Sequence, residues 1–292
     1  MDNGRVTEAE PSSGMLRWAA ETVGSETPAR VVRHLVGGTH AVTHLVETTR
    51  PRRQMVLRRY PPGDTAAARE AAVLTALDGL AGSAPELIDV DPDGKRTGAP
   101  STLITRLPGR ADLTSMSPAE AAEQLGRALA RVHAVPVGRF SRLRDGMAAV
   151  SAAAGDLLSA GEQVLTHYDF WSGNVLWDDQ VITGIVDWSG ASRAPRGFDV
   201  SWCRLDLVLL HGESAADTFL AAYERAARTT VPDIVSWDLF ALANARDTIE
   251  GWHPNYADLG RGDLTATELR ARHTAWSQNR LTREGSLDFS DE

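Results

Sequence analysis

The stretch that decides the fold is VLTHYDFWSGNVLWDDQVITGIVDWSGASRAPRGFDVSW, residues 164–202. Within it, short apolar runs alternate with polar side chains at defined positions. Asp169 follows His167 by two residues and precedes Asn174 by five. Alternation of this kind is typical of short strands joined by turns. The stretch therefore predicts a segment in which a few polar groups carry the chemistry.

The spacing from His167 to Asn174 is that of the H-x-D-x-x-x-x-N catalytic loop of kinases. A carboxylate at Asp169 can receive or orient the proton of an acceptor hydroxyl, and a carboxamide at Asn174 can hold a metal ion. The following VLW, DDQ and VITGIVDW predict a β-hairpin that returns Asp187 to the vicinity of Asn174. Mg²⁺ prefers such oxygen donors and takes further ligands from water and phosphates. Asp169 is the predicted catalytic residue, and Asn174 and Asp187 are the predicted metal ligands.

The strings HYDFWSGN and IVDW resemble the signature pair of the aminoglycoside phosphotransferase and choline kinase superfamily. The fold of that superfamily is similar to that of protein kinases, and the resemblance extends over roughly residues 30–250 in the order of elements. It implies a small-molecule kinase that transfers the γ-phosphoryl group of ATP or GTP, with Mg²⁺, to a hydroxyl group. The implied acceptor is an aminoglycoside-like or other hydroxylated small molecule.

The resemblance also bears on three other residues of this stretch. Asp199 in GFDVSW corresponds to an aspartate of the family and is expected to be structural. His167 is expected to brace the loop rather than carry a proton, since a satisfied structural histidine is the commoner case. Tyr168 stands where the family often has glycine, and the sequence assigns it no function.

A phosphate-covering loop is predicted between two strands, where glycine backbone can approach phosphates closely. A plain two-glycine hairpin turn is the alternative interpretation of the same string. The predicted loop consists of Gly37, Gly38, Thr39 and His40.

The next strand, MVLRRY, places Arg58 where the resembling family presents a lysine that contacts the α- and β-phosphates. Glu70 on the following helix would be its ion-pair partner. Arginine keeps the positive charge, but its planar fork differs from an ammonium point charge. The stretch STLITRLPGR resembles the hinge of the family, which implies that main-chain groups from Thr105 to Leu107 bind the purine.

The pattern predicts an α+β, two-lobed fold similar to that of protein kinases. The proposed domains are a nucleotide-binding lobe at residues 15–107 and a catalytic and acceptor-binding lobe at residues 108–280. The first lobe combines antiparallel strands, in VVRHLV, AVTHLVET, MVLRRY, PELIDV and STLIT, with one helix capped by Thr65 or Asp64. The second lobe is mainly helical and carries the catalytic hairpin.

Helix signals in the second lobe begin with Ser117 as an N-cap and Pro118 in the first turn, with a stop before Pro136. Further helices are predicted over residues 214–227, 234–250 and 265–277. Both ends of the chain are polar and irregular in pattern, so the sequence predicts mobile termini there.

The composition, 42% hydrophobic and 24% charged, is that of an ordinary globular protein. A formal net charge of −9 argues against general nucleic-acid binding and weakly favours a cationic substrate. No apolar run approaches the roughly 20 residues of a membrane span, and the start lacks a leader pattern, so a cytoplasmic protein without membrane association is predicted. The single cysteine, Cys203, excludes an intrachain disulfide and a zinc site built on several thiolates.

Two other classes remain open at this level. The first is a catalytically inactive kinase-like module that binds nucleotide, a reading supported by Arg58 in place of lysine. The second is a metal-dependent hydrolase with His167, Asp169 and Asp187 as ligands, which leaves Asn174 unexplained. Acceptor-binding candidates stand out by position only, and they are Asp238, Asp247, Glu250, Trp252 and Trp171.

Overall fold

The computed structural model describes residues 10–35, 40–112, 114–148, 158 and 161–287. The predicted mobile ends lie largely outside these residues.

The chain divides into two compact units. The first comprises Met1–Pro108 with Thr183–Gly190, and the second comprises Gly109–Ile182 with Ala191–Glu292. The segment Thr183–Gly190 thus groups with the first unit, whereas the sequence-based division assigned it to the second.

The first unit is built on a five-stranded antiparallel sheet in the order β1-β2-β3-β5-β4. The predicted antiparallel sheet is confirmed, and β3, which carries Arg58, lies at its centre. The strands are β1 (Arg30–Leu35), β2 (Val42–Thr49), β3 (Arg52–Arg59), β4 (Leu87–Asp91) and β5 (Ser101–Thr105).

Helix α1 (Ser13–Thr22) precedes the sheet and was not predicted. Ser12 Oγ accepts a hydrogen bond from the Met15 N–H at 3.2 Å, which caps the first turn. Met15 and Trp18 are buried in the core of the sheet, and the Trp18 indole donates to Asp89 Oδ2 at 2.7 Å. So short a helix has few periodic positions, and its docking onto the sheet stabilises it.

The predicted helix after β3 is α2 (Ala66–Leu77). Of its two candidate caps, Thr65 stands at the N-cap position but makes no side-chain capping bond. Asp64 Oδ1 instead accepts the Ala66 N–H at 2.7 Å. Glu70 lies on the buried face of this helix.

The second unit is mainly helical, which confirms the predicted α+β class. Ser117 caps its first helix as predicted, with Ser117 Oγ accepting the Glu120 N–H at 3.3 Å. The predicted helix over residues 234–250 ends early at Ala245, and the last helix runs beyond its predicted end. The helices are α3 (Pro118–His133), α4 (Gly197–His211), α5 (Glu213–Ala227), α6 (Ile234–Ala245), α7 (His253–Asp258) and α8 (Ala266–Leu287).

Helix α4 was not predicted, although it supports the loop that carries Asp169. Nearly every residue from Gly197 to Leu210 is buried. A helix buried on all sides carries no polar stripe and therefore shows no amphipathic period. Its sequence reads as an irregular mixture of apolar and polar residues.

Helices α3 and α5 pack at close range around Gly126. A Cβ atom at Gly126 would lie 2.6 Å from the Phe219 carbonyl oxygen and 2.7 Å from the Tyr223 nitrogen. Only glycine allows the two backbones to approach this closely.

The predicted catalytic hairpin is present as β8 (Val175–Asp178) and β9 (Val181–Ile185). Its two turn residues, Asp179 and Gln180, both have positive φ angles, 46° and 65°. Two consecutive left-handed residues match the twist of a tight hairpin.

A second small sheet, in the order β6-β10-β7, leads into the loop that carries Asp169. It consists of β6 (Arg144–Asp145), β7 (Gln163–Thr166) and β10 (Ser192–Pro195). Among the described residues, no helix combines the length and the apolar character needed to cross a membrane.

Candidate active site

Asp169 lies in the loop that follows β7 and is half-buried. The indole Nε1–H of Trp202 donates to its Oδ1 at 3.1 Å. The amide Nδ2 of Asn174 donates to its Oδ2 at 3.1 Å and to its backbone oxygen at 2.9 Å. Neutral donors thus fix both carboxylate oxygens, and neither donor can itself take up a proton from the substrate.

Asn174 closes a short 3-10 turn, Ser172–Asn174. Because Nδ2 donates to Asp169, the side-chain oxygen Oδ1 points away from that carboxylate. Gly173 lies in the middle of this turn, where a Cβ would be 2.1 Å from the Trp171 ring. Any side chain at that position would have to displace the Trp171 ring.

Asp199, in the first turn of α4, is fully buried and holds the backbone of the loop. Its Oδ2 accepts the His167 N–H at 2.6 Å, and its Oδ1 accepts the Tyr168 N–H at 2.9 Å. The Nε2 atom of His133 lies 3.2 Å from the same Oδ2, while its Nδ1 lies 2.7 Å from the Tyr223 hydroxyl. Burial lowers the pKa of His133 against the opposing effect of Asp199. The structural role expected for Asp199 is confirmed.

Tyr168 has a φ of +77°, which explains why glycine often stands at this point in the resembling family. For a residue with a side chain the left-handed conformation costs roughly 1–2 kcal/mol. The ring stacks on Phe198 at 4.7 Å between centroids, and the Arg144 guanidinium lies 4.9 Å from its centroid. Packing of the ring offsets the strain.

Asp206 supports the other end of the loop and was missed at the sequence level. It accepts from the Ser172 N–H at 2.9 Å, the Ser172 hydroxyl at 2.5 Å and the Tyr256 hydroxyl at 2.9 Å. Burial raises its pKa, and these hydrogen bonds act in the opposite direction. Asp206 follows Asp199 by seven residues, so both lie on one face of α4. If a helix had been assumed here, the seven-residue spacing would have identified Asp206 as a second residue on the face that carries Asp199.

In the first unit, Arg58 of β3 is buried between two carboxylates. Its Nη1 pairs with Glu70 Oε1, and its Nη2 lies 2.5 Å from Asp187 Oδ1. Burial alone lowers the pKa of the guanidinium, but Asp187 and Glu70 outweigh it and hold the pKa well above its ordinary value. Glu70 is held in turn by the Tyr60 hydroxyl at 2.5 Å and the Thr102 hydroxyl at 2.9 Å. The structure thus pairs Arg58 with Glu70, as the resemblance implied.

Asp187 follows β9 and adopts a φ of +64°. The Ser189 hydroxyl donates to its Oδ1 at 2.8 Å, the same oxygen that Arg58 binds. The carboxylate is therefore oriented from two sides.

The predicted phosphate loop is described only at its last residue, because Gly37, Gly38 and Thr39 lie outside the described residues. His40 Nε2 lies 2.9 Å from Asp64 Oδ2, next to the start of α2.

The predicted hinge lies at the end of β5. The Thr105 N–H donates to the Glu86 oxygen at 2.9 Å, and its Oγ1 accepts the Glu86 N–H at 2.9 Å. Leu107 packs on Gly184, where a Cβ would lie 2.4 Å from Leu107 Cδ1. The Thr105 N–H is therefore already bonded to Glu86. Purine binding by this segment stays a prediction, and it would have to use main-chain groups that follow Thr105.

A profile of the phosphotransferase enzyme family matches residues 31–152 and 138–235, which together span most of the chain. The chain belongs to the phosphotransferase enzyme family. The resemblance drawn from the sequence is confirmed, as is the assignment of a phosphotransferase that uses an alcohol group as acceptor. No curated protein matches the chain at a significant level.

Solved structures share the fold of this phosphotransferase at low sequence identity. A candidate aminoglycoside phosphotransferase from Ralstonia eutropha JMP134 is 16% identical, with a TM-score of 0.62 over 91% of this chain and 96% of its own. Macrolide 2′-phosphotransferase MphH from Brachybacterium faecium is 17% identical, with a TM-score of 0.61 over 89% and 98%. A thermostable mutant of aminoglycoside phosphotransferase APH(4)-Ia, in complex with ADP and hygromycin B, is 16% identical, with a TM-score of 0.56 over 91% and 98%.

Two of the three acidic acceptor candidates of this phosphotransferase, Asp238 and Glu250, are paired with arginines, and the third, Asp247, is exposed. Asp238 is buried and accepts from Arg204 at 2.9 and 3.0 Å and from Arg280 at 3.3 Å. Glu250 pairs with Arg270 at 2.5 Å. Both carboxylates are neutralised within the protein.

The tryptophans of the phosphotransferase divide into core and loop positions. Trp177 and Trp188 are buried, as expected of core packing. Trp171 is half-buried and meets the Tyr256 ring edge-on, with 5.9 Å between centroids. Trp252 contacts the ring of Trp202 at 5.3 Å, so this pair of indoles lies beside Asp169.

Proposed function

We propose that this phosphotransferase moves the γ-phosphoryl group of ATP or GTP onto a hydroxyl of a small molecule, with Asp169 as the catalytic base. One observation carries the proposal. Both oxygens of the Asp169 side chain are held by neutral donors, from Trp202 and Asn174, in a loop whose backbone is fixed by the buried Asp199. Pre-orientation of a general base in this way is what phosphoryl transfer requires of a protein.

In this reaction Asp169 accepts or orients the proton of the acceptor hydroxyl while the hydroxyl oxygen forms a bond to the γ-phosphorus. The bond from that phosphorus to the bridging oxygen breaks, and the nucleoside diphosphate leaves. The proton ends on the Asp169 carboxylate and passes from there to water.

We assign nucleotide binding to residues 15–107 and catalysis with acceptor binding to residues 108–280. Arg58 neutralises phosphate charge, and Glu70 holds its guanidinium in place. The main chain from Thr105 to Leu107 binds the purine. The loop from Gly37 to His40 covers the phosphates.

Asn174 and Asp187 are the proposed ligands of Mg²⁺. Their donors fit the ion, since both offer hard oxygens and the amide nitrogen of Asn174 is already used on Asp169. Among the described residues, no group of three or more His, Cys, Asp or Glu side chains is placed to hold a metal. Two protein ligands suffice for an ion that takes its other oxygens from phosphates and water. When bound, Mg²⁺ neutralises charge on the phosphates.

The acceptor is proposed to be a hydroxylated small molecule whose recognition does not require free carboxylates at Asp238 or Glu250. Both groups are occupied by arginines. These two carboxylates therefore give cationic aminoglycosides no advantage over macrolides or neutral sugars as acceptors.

A catalytically inactive nucleotide-binding module is the second candidate, because Arg58 replaces the family's lysine. The ion pair between Arg58 and Glu70 argues against an inactive module, because Arg58 makes the contact that the family's lysine would be expected to make. The hydrolase reading fits poorly, because His167 is fully buried with its ring edge-on to Phe170 at 6.1 Å.

Phosphoryl transfer is tested with Mg²⁺ and ATP or GTP against hygromycin B, streptomycin, a macrolide, neutral sugars and water, with release of nucleoside diphosphate as the measurement. We expect Asp169→Ala to lower kcat by about 10²- to 10⁴-fold, the usual share of a general base. Nucleotide affinity, measured by calorimetry, should remain within a few-fold. Tight nucleotide binding without turnover of any acceptor would favour the inactive module.

A further inference from the structure

The indole of Trp202 makes a hydrogen bond to the proposed base, with Nε1 at 3.1 Å from Asp169 Oδ1. We propose that Trp202 is a positioning residue that sets the orientation of the Asp169 carboxylate for phosphoryl transfer. The proposal rests on the proposed function of Asp169.

Trp202 belongs to a face of α4 that is directed at the catalytic loop. It follows Asp199 by three residues and precedes Asp206 by four, the spacing of one helix face. Asp199 holds the backbone at the start of the loop, and Asp206 holds Ser172 at its end. Trp202 lies between these two anchors and reaches the side chain of Asp169.

The chemistry of an indole suits this task. Its N–H is a donor only and stays neutral, so it can orient a carboxylate without competing for the proton that the base accepts. Asn174 holds the other oxygen, Oδ2, at 3.1 Å. Because a donor holds each oxygen, rotation of the Asp169 carboxylate about its side-chain bonds is restricted from both ends.

Trp202 is itself fixed in place. Its ring packs against Trp252 in an edge-to-face arrangement, with 5.3 Å between centroids and 63° between planes. Aromatic pairs prefer this geometry. The indole N–H is thus presented to Asp169 by a supported ring.

The proposal predicts that the role of Trp202 is exerted through Asp169. Loss of the N–H with retention of an aromatic ring should misalign the base and lower kcat about tenfold to hundredfold. The KM for nucleotide should change little, since Asp169 is not proposed to bind it.

The test uses the full chain with Mg²⁺–ATP and hygromycin B, erythromycin or water as acceptor. Trp202→Phe is compared with Trp276→Phe, a buried indole of the same unit that packs on Arg280. We expect the kcat loss in Trp202→Phe alone. If Trp202→Phe unfolds, a 3-benzothienylalanine at position 202 removes the N–H while keeping the shape of the indole.

The same substitution is then made in Asp169→Ala and the residual rate is followed with labelled ATP. If Trp202 acts through Asp169, Trp202→Phe causes no further loss in that background. Wild-type kcat in Trp202→Phe, or an equal loss with and without Asp169, would overturn the positioning role. Wild-type kcat in Asp169→Ala would instead overturn the proposed function, which keeps the two failures distinct.

Discussion

At the residue scale, Arg58 shows how one substitution changes a site without removing its charge. A lysine ammonium is a point charge, whereas the guanidinium fork offers separate N–H groups in a fixed plane. Here Nη1 binds Glu70 and Nη2 binds Asp187, so the arginine orients a proposed metal ligand together with its helix partner. Tyr60 and Thr102 hold Glu70 from the other side.

Arg58→Lys should therefore lower kcat/KM for the Mg²⁺-nucleotide complex, although lysine is the residue usual in the family. One charge-assisted hydrogen bond is lost, which corresponds to a change of roughly tenfold or more. Steady-state kinetics with varied nucleotide measure the effect, and Arg59→Lys on the opposite face of β3 is the control. A more active Arg58→Lys enzyme would mean that the arginine impairs the site.

At the scale of elements, the conformation of the loop around Asp169 is held mainly by side chains from neighbouring helices. Helix α4 supplies Asp199, Trp202 and Asp206, and α3 supplies His133 behind Asp199. Helix α3 is held against α5 by the close approach at Gly126. The packing of these helices is therefore part of the support of the site.

Gly126→Ala tests this packing, because the substitution is expected to lower the free energy of unfolding rather than raise it. In an exposed helix the change from glycine to alanine stabilises by about 1 kcal/mol. Here the new Cβ would lie 2.6 Å from a backbone oxygen of Phe219, and we expect a net destabilisation of about 1–3 kcal/mol from the displaced helix. Urea unfolding measures it.

Gly138→Ala is the matched control for this prediction, since a Cβ there meets nothing within 4 Å. Its free energy of unfolding should stay close to that of the wild type. Equal behaviour of the two variants would show that α3 and α5 can separate without cost.

At the scale of the whole molecule, histidines whose pKa values are lowered make stability depend on pH. His211, the last residue of α4, has its pKa lowered to about 4 by burial, followed by the charges of Arg261 and Arg272. These arginines donate to the carbonyls of Leu210 at 3.1 Å and Leu209 at 2.8 Å, where a helix favours cations. A protonated His211 would face both of them.

The direction of the pH dependence of stability follows from the number of protons that the folded and unfolded chains bind. Between the ordinary histidine pKa of 6.5 and about 4, the unfolded chain binds a proton at His211 that the folded chain does not. Stability is therefore unaffected near pH 7 and falls as the pH drops through 6.5 towards 4.

His211→Gln should reduce the slope of the free energy of unfolding between pH 6.5 and 4.5, measured by urea denaturation at each pH. His133 and His44, whose pKa values are also lowered, will keep part of the slope. Asn244→Gln, an exposed position on α6 that does not titrate, is the control and should leave the slope unchanged. An unchanged slope in His211→Gln would contradict the prediction.

The sequence by itself determined the sheet of the first unit, α2, α3 and the catalytic hairpin. Their signals are local: alternation along strands, Ser117 at a cap, and turn residues such as Asp179. The spacing from His167 to Asn174 likewise sufficed to propose Asp169 as the catalytic residue, because a short loop fixes its own residues at close range. Membership of the phosphotransferase family agrees with that reading.

Only the tertiary structure decided how that loop is held. Helix α4 has no amphipathic period because it is buried all round, so the sequence did not reveal it or its three loop contacts. Likewise, the sequence offered Asp238 as an acceptor-binding candidate by position only, whereas in the structure Arg204 and Arg280, from distant segments, bind its carboxylate. Such contacts join residues far apart in the chain, and no local pattern encodes them. The sequence selected Asp169 as the proposed base, whereas packing determined the orientation of its carboxylate and the partners of the other charges.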